Sequence, residues 1–108
     1  MKYQIEISSR FKKDVKLAKK RGYNMSLLKS VIDSLANGEK LPPAQCDHEL
    51  SGAYSGYREC HIQPDWLLIY RIDKDLLILG LTRTGSHSDL FLAMAAKLHS
   101  PAKPLRDG

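Results

Sequence analysis

Among the 108 residues are four histidines, His48, His61, His87 and His99. Imidazole titrates near neutral pH and can either take or give a proton. Two of the four have neighbours suited to phosphate chemistry. His61 precedes Asp65 and Trp66 by a few residues, and His87 closes the segment Arg83-Thr84-Gly85-Ser86-His87. Two or more histidines with an arginine and aromatic rings are what metal-free RNA cleavage needs. A base takes the proton of a ribose 2′-hydroxyl, the resulting oxyanion attacks the adjacent phosphate, and an acid protonates the departing 5′-oxygen. A guanidinium can bind the charge of the phosphorane in a bidentate manner. A ring can hold an unstacked base so that the phosphate is attacked in line.

Other chemistries lack their residues. There is no phosphate-cradling glycine loop, no Gly-x-Ser-x-Gly and no acidic metal cluster. Cys46-x-His48 and Cys60-His61 combine zinc-ligand types, but adjacent strand residues point to opposite faces and neither pair has the usual ligand spacing. No metal and no cofactor is expected. Each candidate also has an ordinary reading: His61 near Asp65 is often a hydrogen-bonded pair only, and Trp66, Tyr70 and Phe91 are more often core than base-stacking platforms. His99 falls in a terminal stretch and is given no role.

The elements that must carry these residues follow from periodicity. Tyr3, Ile5 and Ile7 alternate with polar residues, as in a half-buried strand. Ser8 or Ser9 can cap a helix in which Phe11, Val15 and Ala18 recur at helical spacing until Gly22. Asn24 or Ser26 starts a second helix with the stripe Leu28, Val31, Ile32 and Leu35, stopped by Asn37-Gly38. Residues 39–56 form a long loop holding His48. Three apolar runs follow, 57–62, 66–72 and 76–83, joined by hairpin-sized links. The order predicts an α+β domain: an N-terminal strand, a helical hairpin over one face, and a three-stranded antiparallel meander in one sheet. The expectation for a flat meander is that His87 falls at the end of the hairpin opposite Asp65, with sheet twist and the short strand lengths left to bring His87 and His61 around one groove. Residues 90–98 suggest a short closing helix. The reading is of one domain over 1–99 with a flexible tail at 100–108.

Charge is concentrated rather than spread. The chain has 17 Lys+Arg against 12 Asp+Glu, a net charge of +5. Residues 10–21 hold seven basic side chains and the single acid Asp14, so the rest is slightly acidic. Lys12, Lys13, Lys16, Lys19 and Lys20 thus mark one element as a docking face for a polyanion, or simply as a solvated helix face. The first thirteen residues have no apolar signal-peptide stretch, and no apolar run approaches the ~20 residues of a membrane helix. Two cysteines are too few for a disulfide scaffold. A soluble, cytoplasmic protein with no membrane partner is expected.

The run Gly56-Tyr57-Arg58-Glu59-Cys60-His61-Ile62-Gln63-Pro64-Asp65-Trp66, with Arg83-Thr84-Gly85-Ser86-His87-Ser88-Asp89-Leu90-Phe91, resembles the YafQ branch of the RelE-like bacterial toxins. The likeness extends back through Asp47-His48-Glu49-Leu50 to the 13–17 helix segment. It implies a type II toxin, an endoribonuclease that cuts mRNA in the ribosomal A site. His87 would be the proton donor, and His48, His61 and Asp65 would complete the acid-base set. Arg83 and Arg58 would bind the substrate, Trp66 and Phe91 would position the nucleotide, and the basic helix would face ribosomal RNA. A ribbon-helix-helix antitoxin would hold the toxin inactive and bring it to operator DNA. Two alternatives share the scaffold: a ParE-like gyrase poison, and a non-catalytic ribosome- or RNA-binding module. The 17 residues after Phe91 exceed the family's usual length.

Overall fold

The computed structural model describes residues 1–90. Strand β1 (Gln4–Ile7) leads directly into helix α1 (Ser9–Lys20), and Ser8 makes the junction. Its backbone N–H donates to the Leu81 carbonyl (3.1 Å), its hydroxyl donates to the Thr82 carbonyl (2.8 Å), and the same oxygen accepts from Phe11 N–H (3.0 Å). One serine therefore ends the strand pairing and caps the helix, a cap worth about 1 kcal/mol. Gly22, at φ +79°, releases the chain from α1. Helix α2 (Met25–Ala36) is capped by Asn24, whose side chain accepts from Ser26 N–H, and it gives way to Gly38 at φ +78°. Both helices thus begin and end where their capping residues predict.

Strands β3 (Arg58–Gln63), β4 (Trp66–Asp73) and β5 (Ile78–Gly85) form the expected antiparallel meander. Two strands extend it. β1 joins parallel to β5, and a two-residue strand β2 (His48–Glu49), formed within the long loop, pairs antiparallel with β3. The sheet order is β1-β5-β4-β3-β2. The loop is not open chain; it also contains two short 3-10 turns, Pro43–Gln45 and Gly52–Tyr54.

The sheet has a different layer on each face. Phe11, Ala18, Leu28, Val31 and Leu35 of the helical hairpin pack on Tyr3, Cys60, Trp66, Leu68, Tyr70, Leu79 and Leu81. On the other face a smaller cluster joins Leu67, Ile69 and Leu90 to Leu50, Tyr54 and Tyr57 of the loop. A register shift at Ile69/Tyr70 sets which residues face which layer. Tyr70 pairs with Leu81 and Ile69 with Arg83, so Thr82 is an extra residue in β5. Such a bulge reverses the alternation beyond it. By register Leu79 and Leu81 face the helices and Arg83 the opposite face; beyond Leu81, where β1 no longer pairs with β5, the Arg83 guanidinium reaches the strand edge and meets Asp14 of α1.

Candidate active site

Cross-strand partners share a face, and the register aligns the candidates on the face away from the helices. One rung runs His48, Glu59, Ile69, Arg83, and the next runs His61, Leu67, Gly85. Successive rungs on a face are about 7 Å apart and neighbouring strands about 4.8 Å. His87 follows Gly85 by two residues, at the start of a helical turn over residues 87–90.

The expectation that His87 falls at the far end from Asp65 is overturned. β5 runs parallel to β3 across the meander, and Gly85 pairs with Leu67, the second residue of β4. The end of β5 therefore lies beside the turn that carries Asp65. Asp65 Oδ1 accepts from the His87 backbone N–H (2.9 Å) and lies 2.5 Å from His87 Nδ1. These hydrogen bonds from His87 hold the Asp65 carboxyl below the usual carboxylate range. An ionised carboxylate only accepts, so His87 carries its proton on Nδ1. The His61 ring meets the His87 ring edge to face, with centroids 5.5 Å apart.

His48 occupies the rim. Its Nδ1 is 2.6 Å from the Cys46 carbonyl, which assigns that nitrogen the proton, and its Nε2 is 3.6 Å from Glu59 Oε1. Glu59 is only 3 % exposed, and its Oε2 has no hydrogen-bond partner among the described residues. Sequence reasoning passed over Glu59, since nothing in a strand sequence marks a buried carboxylate.

Arg83 is fixed in place. Its guanidinium donates Nε to Asp14 Oδ2 (2.8 Å) and NH2 to Oδ1 (3.2 Å), with the two side chains 12 % and 11 % exposed. Thr84 N–H also donates to Asp14 (3.1 Å). The hydrogen bonds with Asp14 raise the Arg83 pKa further. The lone acid of the basic helix is thus a ligand of the phosphate-binding candidate, a role that its isolation in a cationic run could have suggested.

Two candidates lie elsewhere. Trp66 is 2 % exposed and belongs to the helix-side core, with its ring against Tyr23 (4.9 Å) and its Nε1–H on Thr84 Oγ1 (2.9 Å). The reading of Trp66 as a nucleotide-stacking ring is corrected: the ring offers no open face, because the hairpin covers it. Arg58 pairs across from Tyr70 on that same sheet face, and its Nε donates to Asp47 (3.2 Å), which also accepts from the Tyr70 hydroxyl (2.7 Å). It is therefore held in a network separate from the histidines. The five lysines of α1 are all exposed. Phe91, His99, the rest of the closing helix and the tail lie outside the described residues. No helix among those described is long and apolar enough to cross a membrane.

A family profile described as a bacterial toxin of type II toxin-antitoxin system, YafQ, matches residues 3–92. The mRNA interferase toxin YafQ of Escherichia coli K12 is 46% identical over 88 residues, 81% of this chain and 94% of that protein. The crystal structure of YafQ from E. coli BL21(DE3) superposes with a TM-score of 0.77 at 42% identity, covering 82% of this chain and 98% of the other. The toxin in the E. coli DinJ-YafQ toxin-antitoxin complex gives 0.76 at 42% identity, covering 84% and 99%. With sequence and fold matching together over more than four-fifths of its length, the chain belongs to the YafQ family of bacterial type II toxins.

Proposed function

We propose that this YafQ-family toxin, an mRNA interferase, cuts mRNA in the ribosomal A site by acid-base attack of the ribose 2′-hydroxyl. The observation that carries the reading is the Asp65–His87–His61 constellation: two imidazoles side by side, one oriented by a carboxylate. With Nδ1–H turned to Asp65, His87 serves as the imidazolium: Nε2–H gives its proton to the leaving 5′-oxygen, and the neutral Nδ1–H ring remains on Asp65. His61, the adjoining ring, or His48 on the rim takes the 2′-hydroxyl proton as the attack begins. Arg83, held by two hydrogen bonds to Asp14, stabilises the phosphorane charge. The exposed lysines of α1 bind ribosomal RNA. The structure of a relative bound to DinJ supports a cognate antitoxin as this chain's partner as well, and ribosome-bound substrate implies action in the bacterial cytoplasm.

Primer extension on mRNA in translating ribosomes tests the reading. Wild-type protein gives codon-phased cuts, and His87→Ala removes them while remaining folded and able to bind antitoxin. Uncut mRNA with the wild type, or unchanged cutting by His87→Ala, refutes it.

A further inference from the structure

His87 is held by residues that play no part in the acid-base set. Ser86 and Asp89 cap the turn reciprocally: Asp89 N–H donates to Ser86 Oγ (3.2 Å), and Ser86 N–H donates to Asp89 Oδ2 (3.1 Å). Leu90 N–H donates to the Ser86 carbonyl (3.1 Å), and the Leu90 side chain is buried on Leu67 and Ile69. Asp89 also has a partner outside the turn. Arg21, the C-cap residue of α1, donates NH1 to Oδ2 (2.6 Å) and NH2 to Oδ1 (3.4 Å). Gly85 leaves the room for this: a Cβ there would lie 3.1 Å from Asp89 Oδ2 and 3.2 Å from its Cβ.

We propose that Asp89 and Arg21 are positioning residues for the cleavage step, their bridge joining the turn that carries His87 to the end of the basic docking helix. The proposal rests on the endoribonuclease reading above. His87 occupies the first position of the capped turn, and both its backbone N–H and its ring engage Asp65. Loosening the cap moves both groups together, and a displacement of about 1 Å at a catalytic group can cost up to ~100-fold in rate. The bridge is partly exposed, with side chains 39% and 27% accessible, so its contribution to global stability is small. Its effect is therefore local: a helix seated on RNA through its lysines holds the imidazole at a fixed offset from the docking surface.

The test uses the full chain on programmed ribosomes, with single-turnover cleavage measured against ribosome concentration. Asp89→Ala should lower the maximal rate about tenfold or more and leave the half-saturating concentration within about twofold. Asp89→Asn, which keeps an acceptor for Ser86 N–H, recovers part of the loss. Arg21→Gln/Asp89→Ala is no slower than Asp89→Ala alone, because Arg21 acts through Asp89. A second readout is independent of cleavage: the Asp65 carboxyl, followed by carbon-13 NMR, titrates below the ordinary range in the wild type and returns toward it in Asp89→Ala. A folded Asp89→Ala protein in which either readout is unchanged overturns the proposal. If Asp89→Ala folds poorly, Arg21→Gln carries the same two measurements. If the wild type leaves mRNA uncut, the endoribonuclease reading fails on its own, and the NMR comparison still decides whether the bridge places His87.

Discussion

Removing the Asp14 carboxylate should damage this protein far more than loss of one acid from a lysine-rich helix suggests. Asp14 accepts two hydrogen bonds from Arg83 and one from Thr84 N–H, and both members of the ion pair are about nine-tenths buried. Asp14→Ala leaves the guanidinium in that environment without its counter-charge, a change that typically costs about 3–5 kcal/mol. Alanine's better helix propensity returns roughly 0.5 kcal/mol, so the net loss should be about 3 kcal/mol. In a domain of this size each 1 kcal/mol lowers Tm by roughly 4–8 °C, which gives a drop on the order of 12–24 °C by calorimetry. Urea unfolding of Asp14→Ala, Arg83→Ala and the double variant provides the coupling. The double variant should cost at least about 2 kcal/mol less than the sum of the singles, since it strands neither charge. The loss should also be nearly independent of salt, because a buried pair is weakly screened. A loss under about 1 kcal/mol, or additive single losses, would show that Arg83 is not held by Asp14.

Further outcomes follow from other parts of the structure. Thr84→Val removes the hydroxyl that accepts from Trp66 Nε1–H and donates to the Leu67 carbonyl (2.6 Å). It should destabilise by about 2–4 kcal/mol, since buried groups are left unpaired, and denaturant unfolding within about 0.5 kcal/mol of wild type would contradict this. The Cys60 thiol is pushed up to about 12 by burial, whereas Cys46 is exposed. At pH 8 a thiol reagent should modify one cysteine rapidly in the native protein and both only after unfolding; two fast thiols would refute that burial. Asp65 and Asp89 are held below the ordinary carboxylate range, Asp65 by hydrogen bonds from His87 and Asp89 chiefly by Arg21. A depressed carboxylate stabilises fully above its unfolded pKa of about 4 and loses that contribution as pH falls through its folded value. Asp89→Asn should therefore flatten the fall in stability below pH 4, and an acid limb identical to wild type argues against the Arg21 bridge. Replacing Lys12, Lys13, Lys16 and Lys19 by Gln should weaken ribosome binding and reduce its salt slope by about one for each phosphate no longer neutralised; an unchanged slope returns these lysines to plain solvation.

Much of the frame was legible along the chain because local physics dictates it. Caps at Ser8 and Asn24, glycines at 22 and 38 and the apolar stripes of α1 and α2 set both helices. Alternation and short links set the meander. The histidines, Asp65 and the Arg83–His87 segment were also visible as residue types suited to proton transfer. The ends of the sheet were legible too, although the expectation put His87 at the wrong one: the first and third strands of any meander run the same way and end on the same side of the sheet, which sets His87 beside Asp65. Faces and side-chain partners were not legible. Strand periodicity would place Arg83 under the helices with Leu79 and Leu81, and the single extra residue Thr82 turns it to the histidine face. Trp66, a nucleotide-positioning residue by resemblance, is core, whereas Asp14, Glu59 and Asp89, to which the sequence assigned no role, hold Arg83, face His48 and cap the His87 turn. Sequence by itself determined the elements and the chemical groups, since caps and periodicity act over a few residues. Which face each group occupies, and which carboxylate orients which cation, was decided by register and packing between residues as much as 74 positions apart.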